Sequence, residues 1–370
     1  MKFSCEKSLL QSAINTASRA VSTKSSIPAL EGLLLQADLH LTVSGYNMQT
    51  GIRTNVEADI TEPGTLVLNA RLFGDIIRKL PDDVLVFASD EKLNVRVTCG
   101  DAFFEIQGIS ADDYPELPEV EDQYSVTMQQ GVLRAMISQT SFAVSTNEAA
   151  RPVHTGSLFE IESTGLTIVS VDGFRLAMRR EKLEKFEGGA FKFVAPGSAL
   201  SEVEKICEDT EDHAVITLGN RHLLFEIGAT QLICRRLEGE FLDYKTAIPR
   251  NNPIAIHLEK RGMINSIDRV SVVISEKQKS PVRCVFDEDR VYMSTKTGNG
   301  EAKDVCRVAG NGNKLEIGFN NRYLMEALKY APADEVKMEL NTGISPAIIV
   351  PTEGEENFLY MVLPVRLKNN

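Results

Sequence analysis

The hydrophobic pattern switches between two periods along the chain. Apolar residues recur at helical spacing in FSCEKSLLQSAINTASRAV, where Leu9, Leu10, Ala13, Ile14 and Ala17 share a face. The same spacing returns in VTMQQGVLRAMISQTSFAV, with Val132, Leu133, Met136 and Ile137, and in IHLEKRGMINSIDRVSVVI, with Met263, Ile264, Ile267 and Val270. A second helical segment also occurs three times, as VLNARLFGDIIRKL, FVAPGSALSEVEKI and IGFNNRYLMEALKY. These begin at Val67, Phe193 and Ile317, 126 and 124 residues apart. Helices are expected over 6–25, 69–80, 129–144, 197–208, 259–279 and 320–330. Between them the period falls to two. LEGLLLQADLHLTVSG, TGSLFEIESTGLTIVSVDG and RCVFDEDRVYMSTKTGNG each read as strand, turn and strand, with turns at Ala37-Asp38, Ser163–Gly165 and Asp287–Asp289. LVFASDEKLNVRVTCGDAFFEIQGI adds a meander with turns at Ser89-Asp90 and Gly100-Asp101.

One unit is therefore repeated three times, at a period too long for solenoid turns. Asp113-Tyr114-Pro115, opposite Glu240-Phe241-Leu242 at an offset of 127, marks the same repeat. Each copy holds two helices and about eight strands, in two strand–helix–strands halves. The fold class expected is α+β, with domains at 1–122, 123–251 and 252–370. Their boundaries fall near the polar, acidic stretch Pro118–Tyr124 and near Pro249–Pro253.

Charge refines this picture. The chain carries a net −12, which opposes indiscriminate coating of nucleic acid or anionic membrane. Yet the six helical segments carry +6 together, so the remainder is strongly acidic. The fourth helix is itself acidic and breaks any uniform basic lining. No aromatic series interleaves the basic residues, so single-strand stacking is not indicated. No apolar run approaches ~20 residues. Glu6, Lys7 and Gln11 interrupt the N-terminus, which is not a signal peptide, and a cytoplasmic location is expected. The six cysteines show no C-x-x-C spacing and read as reduced, buried thiols.

Catalytic motifs are missing. There is no Gly-x-x-x-x-Gly-Lys-Ser/Thr loop, and Gly310–Lys314 reads as a loop between strands. No two of the five histidines show metal-binding helical spacing, and Gly-x-Ser-x-Gly is absent. Most carboxylates sit at turns.

The order of elements, the motifs NARLFGDIIRKL, VDGFRLAM, LEGEFLDY and FNNRYLMEALKY, and the ending YMVLPVRL resemble the bacterial DNA polymerase sliding clamp family, the beta subunit of DNA polymerase III. The resemblance covers essentially the whole chain. It implies a DNA-clamp fold in which three similar domains, each with two helices on antiparallel sheets, join head to tail with a second chain. The homodimer would be a six-domain ring with twelve helices around a hole for double-stranded DNA, read without sequence specificity. It implies no catalysis, cofactor or metal. The partners implied are the DNA polymerase III catalytic subunit, the clamp loader complex and other clamp-binding polymerases and repair proteins, with no membrane.

The resemblance also places a partner-peptide pocket where the second and third domains meet. Its members here are His154, Val171, Gly173, Phe174, Arg175, Leu176, Leu242, Tyr323, Ile344, Pro346, Met361, Leu363, Pro364, Val365, Arg366 and Leu367. The set is apolar with Arg175 and Arg366 at its rim, which suits a short peptide with leucine and phenylalanine anchors. Apart from the resemblance, Leu363 and Val365 are better explained by simple strand burial, and Pro364 marks where the chain leaves the ladder. The family often has an aliphatic residue at the position of His154 and a proline at that of Leu242. It commonly ends at the Arg-Leu pair, whereas Lys368-Asn369-Asn370 follow here. DNA contacts implied are Lys24, Arg71, Arg78, Arg151 and Lys279. The ring joint implied has Phe103, Phe104 and Ile106 on a strand and Val273 and Ile274 on a facing helix. An enzyme assembled at domain junctions, or a scaffold that never encloses DNA, are the competing classes.

Overall fold

A computed structural model describes residues 1–121, 123–147, 149–183, 189–275, 280–354 and 357–367. The first repeat runs β1 (Lys2–Glu6), α1 (Lys7–Ala17), β2 (Gly32–Ala37), β3 (Leu41–Tyr46), β4 (Thr50–Val56), β5 (Asp59–Glu62), β6 (Gly64–Asn69), α2 (Ala70–Lys79), β7 (Val84–Ser89), β8 (Asn94–Cys99) and β9 (Ala102–Gln107). The second has β10 (Tyr124–Gln129), α3 (Gln130–Ser141), β11 (Gly156–Glu162), β12 (Gly165–Val171), β13 (Arg175–Glu181), β14 (Phe191–Pro196), α4 (Gly197–Ile206), β15 (His213–Leu218), β16 (His222–Ile227) and β17 (Thr230–Arg235). A short helix α5 (Tyr244–Ala247), not expected from the pattern, leads to the third: β18 (Ile254–Glu259), α6 (Lys260–Ser271), β19 (Val282–Phe286), β20 (Arg290–Thr297), β21 (Gly300–Arg307), β22 (Ala309–Gly310), β23 (Leu315–Phe319), α7 (Asn321–Tyr330), β24 (Glu335–Leu340), β25 (Ala347–Pro351) and β26 (Phe358–Val362).

Local chemistry explains where the helices start. Asn69 accepts the Leu72 N–H at 3.0 Å, and Asn320 accepts those of Arg322 and Tyr323, so two repeats cap their second helix alike. Glu259 caps α6 through the N–H groups of Arg261 and Gly262. Two helices end sooner than expected. Beyond Ala17 the chain tightens to a 3-10 turn at Ser18–Ala20, then runs through a polar serine-rich segment to Pro28. α6 stops at Ser271, so Val273 and Ile274 lie in the turn after it and not on a facing helix.

The chain forms two compact units, and the middle repeat is divided between them. One holds residues 1–134 and 201–236, the other 135–200 and 237–370. The first contains a five-stranded sheet, β5-β1-β7-β8-β9, and an eight-stranded one, β10-β15-β16-β17-β4-β3-β2-β6. Its core gathers Phe3, Leu10, Ile14, Phe73, Ile77 and Phe87. Gly45 lets α1 lie on the sheet, since a Cβ there would stand 2.1 Å from the Ala17 carbonyl oxygen. The second unit has a nine-stranded sheet, β14-β11-β12-β13-β26-β25-β24-β18-β22, and a four-stranded one, β21-β20-β19-β23. Its core gathers Met263, Ile267, Phe286, Phe319, Leu328 and Tyr360.

The register exposes a joint that occurs twice. In each repeat the strand before the first helix pairs with the strand after the second (β1·β7, β10·β15, β18·β24). The other half pairs β2·β6, β11·β14 and β19·β23. β17 then pairs with β4, Leu232 opposite Ile52, and β26 pairs with β13, Tyr360 opposite Ala177. Followed strand by strand through the ladders, Leu232 and Tyr360 are one position of the repeat, shared by Phe104. Ile52 and Ala177 are another, shared by Ala302. Phe104 lies on β9 and Ala302 on β21, and both strands are sheet edges.

Candidate functional site

Of the expected pocket residues, Phe174, Arg175, Tyr323 and Leu363 meet in the second unit at the β12–β13 turn. Asp172 accepts the N–H groups of Phe174 (2.9 Å) and Arg175 (3.1 Å), and Gly173 adopts φ +89°, which favours glycine. The turn holds Phe174 outward, 58% exposed and stacked 6.0 Å from Tyr323 in the first turn of α7.

Arg175 corrects the sequence reading. It is not a rim donor but a buried group, 7% exposed. Its guanidinium donates to Asp172 (2.9 Å) and Glu326, and lies over the rings of Tyr323 (4.5 Å) and Phe142 (5.4 Å). Burial works to raise the Glu326 pKa, but hydrogen bonds from Arg175 and Arg322 outweigh it and hold the carboxyl below its ordinary value. Arg175 thus ties the turn to α7, its Nε donating to Asp172 and its Nη1 to Glu326.

The floor lies on the face of the sheet turned away from that cluster. Val171, Leu176 and Met361 are buried there with Leu158, Tyr244 and Ile348, and Leu363, Phe241 and Ile248 pack against them. Strand β26 ends at Val362, and the chain leaves the ladder at Pro364 as expected. The Leu363 N–H donates to the Phe174 carbonyl (2.9 Å) and that of Val365 to the Gly318 carbonyl (2.8 Å). Leu367 comes so near Gly318 that a Cβ there would meet its side chain at 2.7 Å. Leu242 and Ile344 are exposed, Pro346 is half-buried, and Arg366 faces solvent. His154, in a 3-10 turn, meets Phe241 edge-on at 5.9 Å. Burial, and then Arg151, push its pKa below the ordinary value, so the imidazole is neutral at pH 7.

The remaining residues are more dispersed. Lys24, Arg71 and Arg151 are exposed, and among the described residues none is in an ion pair. Arg78 is exposed but bound to Asp75 at 2.6 Å, and Lys279 lies outside the described residues. Lys7, counted among the basic helical charges, is buried against Asp82 at 2.7 Å and offers nothing to a phosphate. On edge strand β9, Phe103 is 62% exposed and Phe104 37%, with Ile106 partly buried against the core. Val273 lies against the end of β20, where its carbonyl accepts from the Thr297 hydroxyl, and Ile274 packs on the core. Among the described residues no group of three His, Cys, Asp or Glu could hold a metal ion, and no helix is long and apolar enough to cross a membrane.

Three family matches cover nearly the whole chain. They are the N-terminal, central and C-terminal domains of the DNA polymerase III beta subunit, over residues 1–118, 127–243 and 245–366. The chain belongs to this family, the beta sliding clamps. The beta sliding clamp of Staphylococcus aureus is 31% identical over 99% of both chains. Among solved structures, the DNA polymerase sliding clamp of Bacillus subtilis superposes with a TM-score of 0.94 at 28% identity over the full length of both chains. A putative DNA polymerase III beta subunit from Eubacterium rectale gives 0.93 at 30% over 99% of each. Clamps of this family are processivity factors rather than enzymes.

For a clamp of this family, the sequence reading missed Asp172, Glu326, Phe142 and Phe241. The first two share a signal that was available. Arg175, Ala177 and Arg179 fall in one phase of an alternating strand, and Ala177 is in the core. An arginine in the inward phase demands carboxylate partners. Phe142 and Phe241 carry no such signal, because their places depend on contacts distant in sequence.

Proposed function

We propose that the chain works in the cytoplasm as a closed homodimeric ring around duplex DNA, and that the pocket beside Phe174 tethers short peptides of the polymerase catalytic subunit, the clamp loader and other clamp-binding polymerases and repair proteins. Its domains are 1–122, 123–251 and 252–370. The observation that carries the ring is the twice-used strand joint. β4·β17 and β13·β26 join repeats within the chain in one register. β9 and β21 hold the same two roles and, among the described residues, have no neighbour on that side, so a second chain supplies it, with Phe104 opposite Ala302 of the partner subunit. A C2 pair closes with two such joints, whereas any register that failed to close would grow filaments. An edge exposing Phe103 and Phe104 is otherwise a liability for a soluble protein.

The pocket reading rests on the buried apolar cluster of Val171, Leu176 and Met361 beside the turn that exposes Phe174. Such a surface suits leucine and phenylalanine side chains of an extended peptide. Net charge −12 keeps the protein from coating DNA, while Lys24, Arg71 and Arg151 offer cations without base readout.

The register is testable with Phe104→Cys and Ala302→Cys in one chain. Directly opposed antiparallel residues lie within disulfide reach. The six native thiols are buried, and burial pushes those of Cys5, Cys207, Cys234 and Cys284 up to about 12. Mild oxidation should therefore give a covalently closed dimer through the new pair. Equal cross-linking when Phe103 replaces Phe104 would contradict the register, and no cross-linked dimer would contradict the joint.

A further inference from the structure

The sheet face that carries the apolar cluster changes character along its strands. Residues paired across antiparallel strands point to one face, so the ladders set out its rows. One row holds Val171, Leu176, Met361 and Ile348. The next holds Leu158, Val169, Met178 and Leu359. The third is polar and charged, with Glu160, Thr167 and Arg180, and the Arg180 N–H donates to the Asn357 carbonyl at 2.7 Å. Lys182 follows two residues further on.

At this end of the face the surface opens into a cavity of about 1110 Å³. β13 contributes Met178, Arg180 and Glu181 to its wall, and the segment that includes α5 contributes Lys245, Ile248 and Arg250. With Lys182, four cations line it, against the two carboxylates of Glu181 and Glu353 among the described residues. Some of these charges are already matched. Lys245 lies 3.2 Å from Glu160, and Glu181 accepts from Arg179. Arg179 is itself buried, its Nε and Nη1 without a hydrogen-bond partner among the described residues. Arg180 and Arg250 are exposed and, among the described residues, in no ion pair. The Arg180 Nη2 donates to the neutral Thr164 hydroxyl at 3.1 Å.

We propose that this cavity docks an acidic stretch of another polypeptide, with Arg180 and Arg250 taking its carboxylates and Met178 and Ile248 its apolar side chains. Arginine clusters are a recurring means of holding acidic segments. On a chain of net charge −12, a cavity with two unmatched arginines is a local attractor for acid. The lining fits a peptide better than single-stranded nucleic acid. Glu181 and Glu353 interrupt any phosphate track, and both aromatic residues of the wall, Tyr244 and Phe358, are buried, the Tyr244 hydroxyl donating to Glu160 at 2.5 Å, so no exposed ring is left for a base to stack on. The site is separate from the pocket beside Phe174 and stands without it.

The test is fluorescence anisotropy of the full-length protein with a labelled hexapeptide, Asp-Asp-Leu-Leu-Asp-Asp, at low salt. Wild type should bind it, and binding should weaken as salt is raised. The double variant Arg180→Glu, Arg250→Glu should lose at least tenfold in affinity, and Arg180→Gln, Arg250→Gln gives a milder version should the first fail to fold. Arg180→Lys, Arg250→Lys should retain most of the binding. Deleting Val365–Leu367 should leave it unchanged. No binding to wild type, equal binding of the peptide with asparagine at every aspartate, or equal affinity in the folded double variants would overturn the proposal. So would a loss caused by the Val365–Leu367 deletion, which would put the acidic peptide in the pocket beside Phe174. Tighter binding of a labelled hexathymidylate, lost in the same double variants, would assign the cavity to nucleic acid instead and overturn it too.

Discussion

Replacing Arg175 with methionine keeps most of the apolar volume and removes the charge. The wild-type guanidinium is buried among Asp172, Glu326, Tyr323 and Phe142. Removing one partner of a buried ion pair costs about 3–5 kcal/mol, because the other charge stays buried and unpaired. Here the loss is softened. Glu326 keeps Arg322 at 2.9 Å, and Asp172 keeps two backbone N–H donors. A cost of about 2–4 kcal/mol follows. Chemical denaturation should read it, and fluorescence anisotropy should show weaker peptide binding as the Phe174 turn loosens from α7. A cycle with Glu326→Gln isolates the pair: once Arg175 is gone, neutralising Glu326 should cost little or restore stability. The pH dependence has a definite sign. The Glu326 pKa is held low in the folded state, so its contribution is complete above about pH 4.3, the ordinary glutamate value, and is lost as pH falls through the lowered folded value. Arg175→Met should flatten that acid limb. A loss below about 0.5 kcal/mol, within the range of ordinary surface substitutions, together with an unchanged acid limb, would refute the assignment of Arg175 as the latch.

Deleting Val365–Leu367 removes the Val365 hydrogen bond to Gly318 and the Leu367 contact, and should lower peptide affinity by more than about 1.4 kcal/mol, a tenfold effect, with dimerisation intact. Deleting only Lys368–Asn370, which lie outside the described residues, should change little in the same titration. Lys24→Glu and Arg71→Glu should weaken duplex DNA association and each lower the magnitude of the logarithmic salt slope by roughly one, with no change in sedimentation. An unchanged slope would remove those residues from the DNA-facing set.

Much of the fold was legible because its signals are local. The 3.6-residue spacing of Leu10, Ala13, Ile14 and Ala17, and the alternation across Leu41–Val43, each need only a short window. Helix ends were less legible, since where α1 gives way to the 3-10 turn depends on packing as well as propensity. The division of the middle repeat between two units was not legible at all. It rests on Leu232 meeting Ile52, a pairing 180 residues apart along the chain that no local pattern encodes. The docking residues were placed by resemblance, and their chemistry by alternation only in part. Leu176 is buried in an apolar cluster, whereas Arg175 beside it points to the other face and is bound by Glu326, which lies 151 residues away. Lys7 is the same kind of case: a charge that looks solvated in the sequence and is buried against Asp82.

The most direct test of the central claim is retention on DNA of defined topology. The protein, loaded onto a nicked circular duplex, should remain through gel filtration in moderate salt and should be released when one restriction cut linearises the circle. Holding by enclosure predicts that loss, because no tight phosphate contact is needed on a chain of net charge −12. Equal retention on circular and linear DNA, or equal loss from both, would contradict a ring that slides.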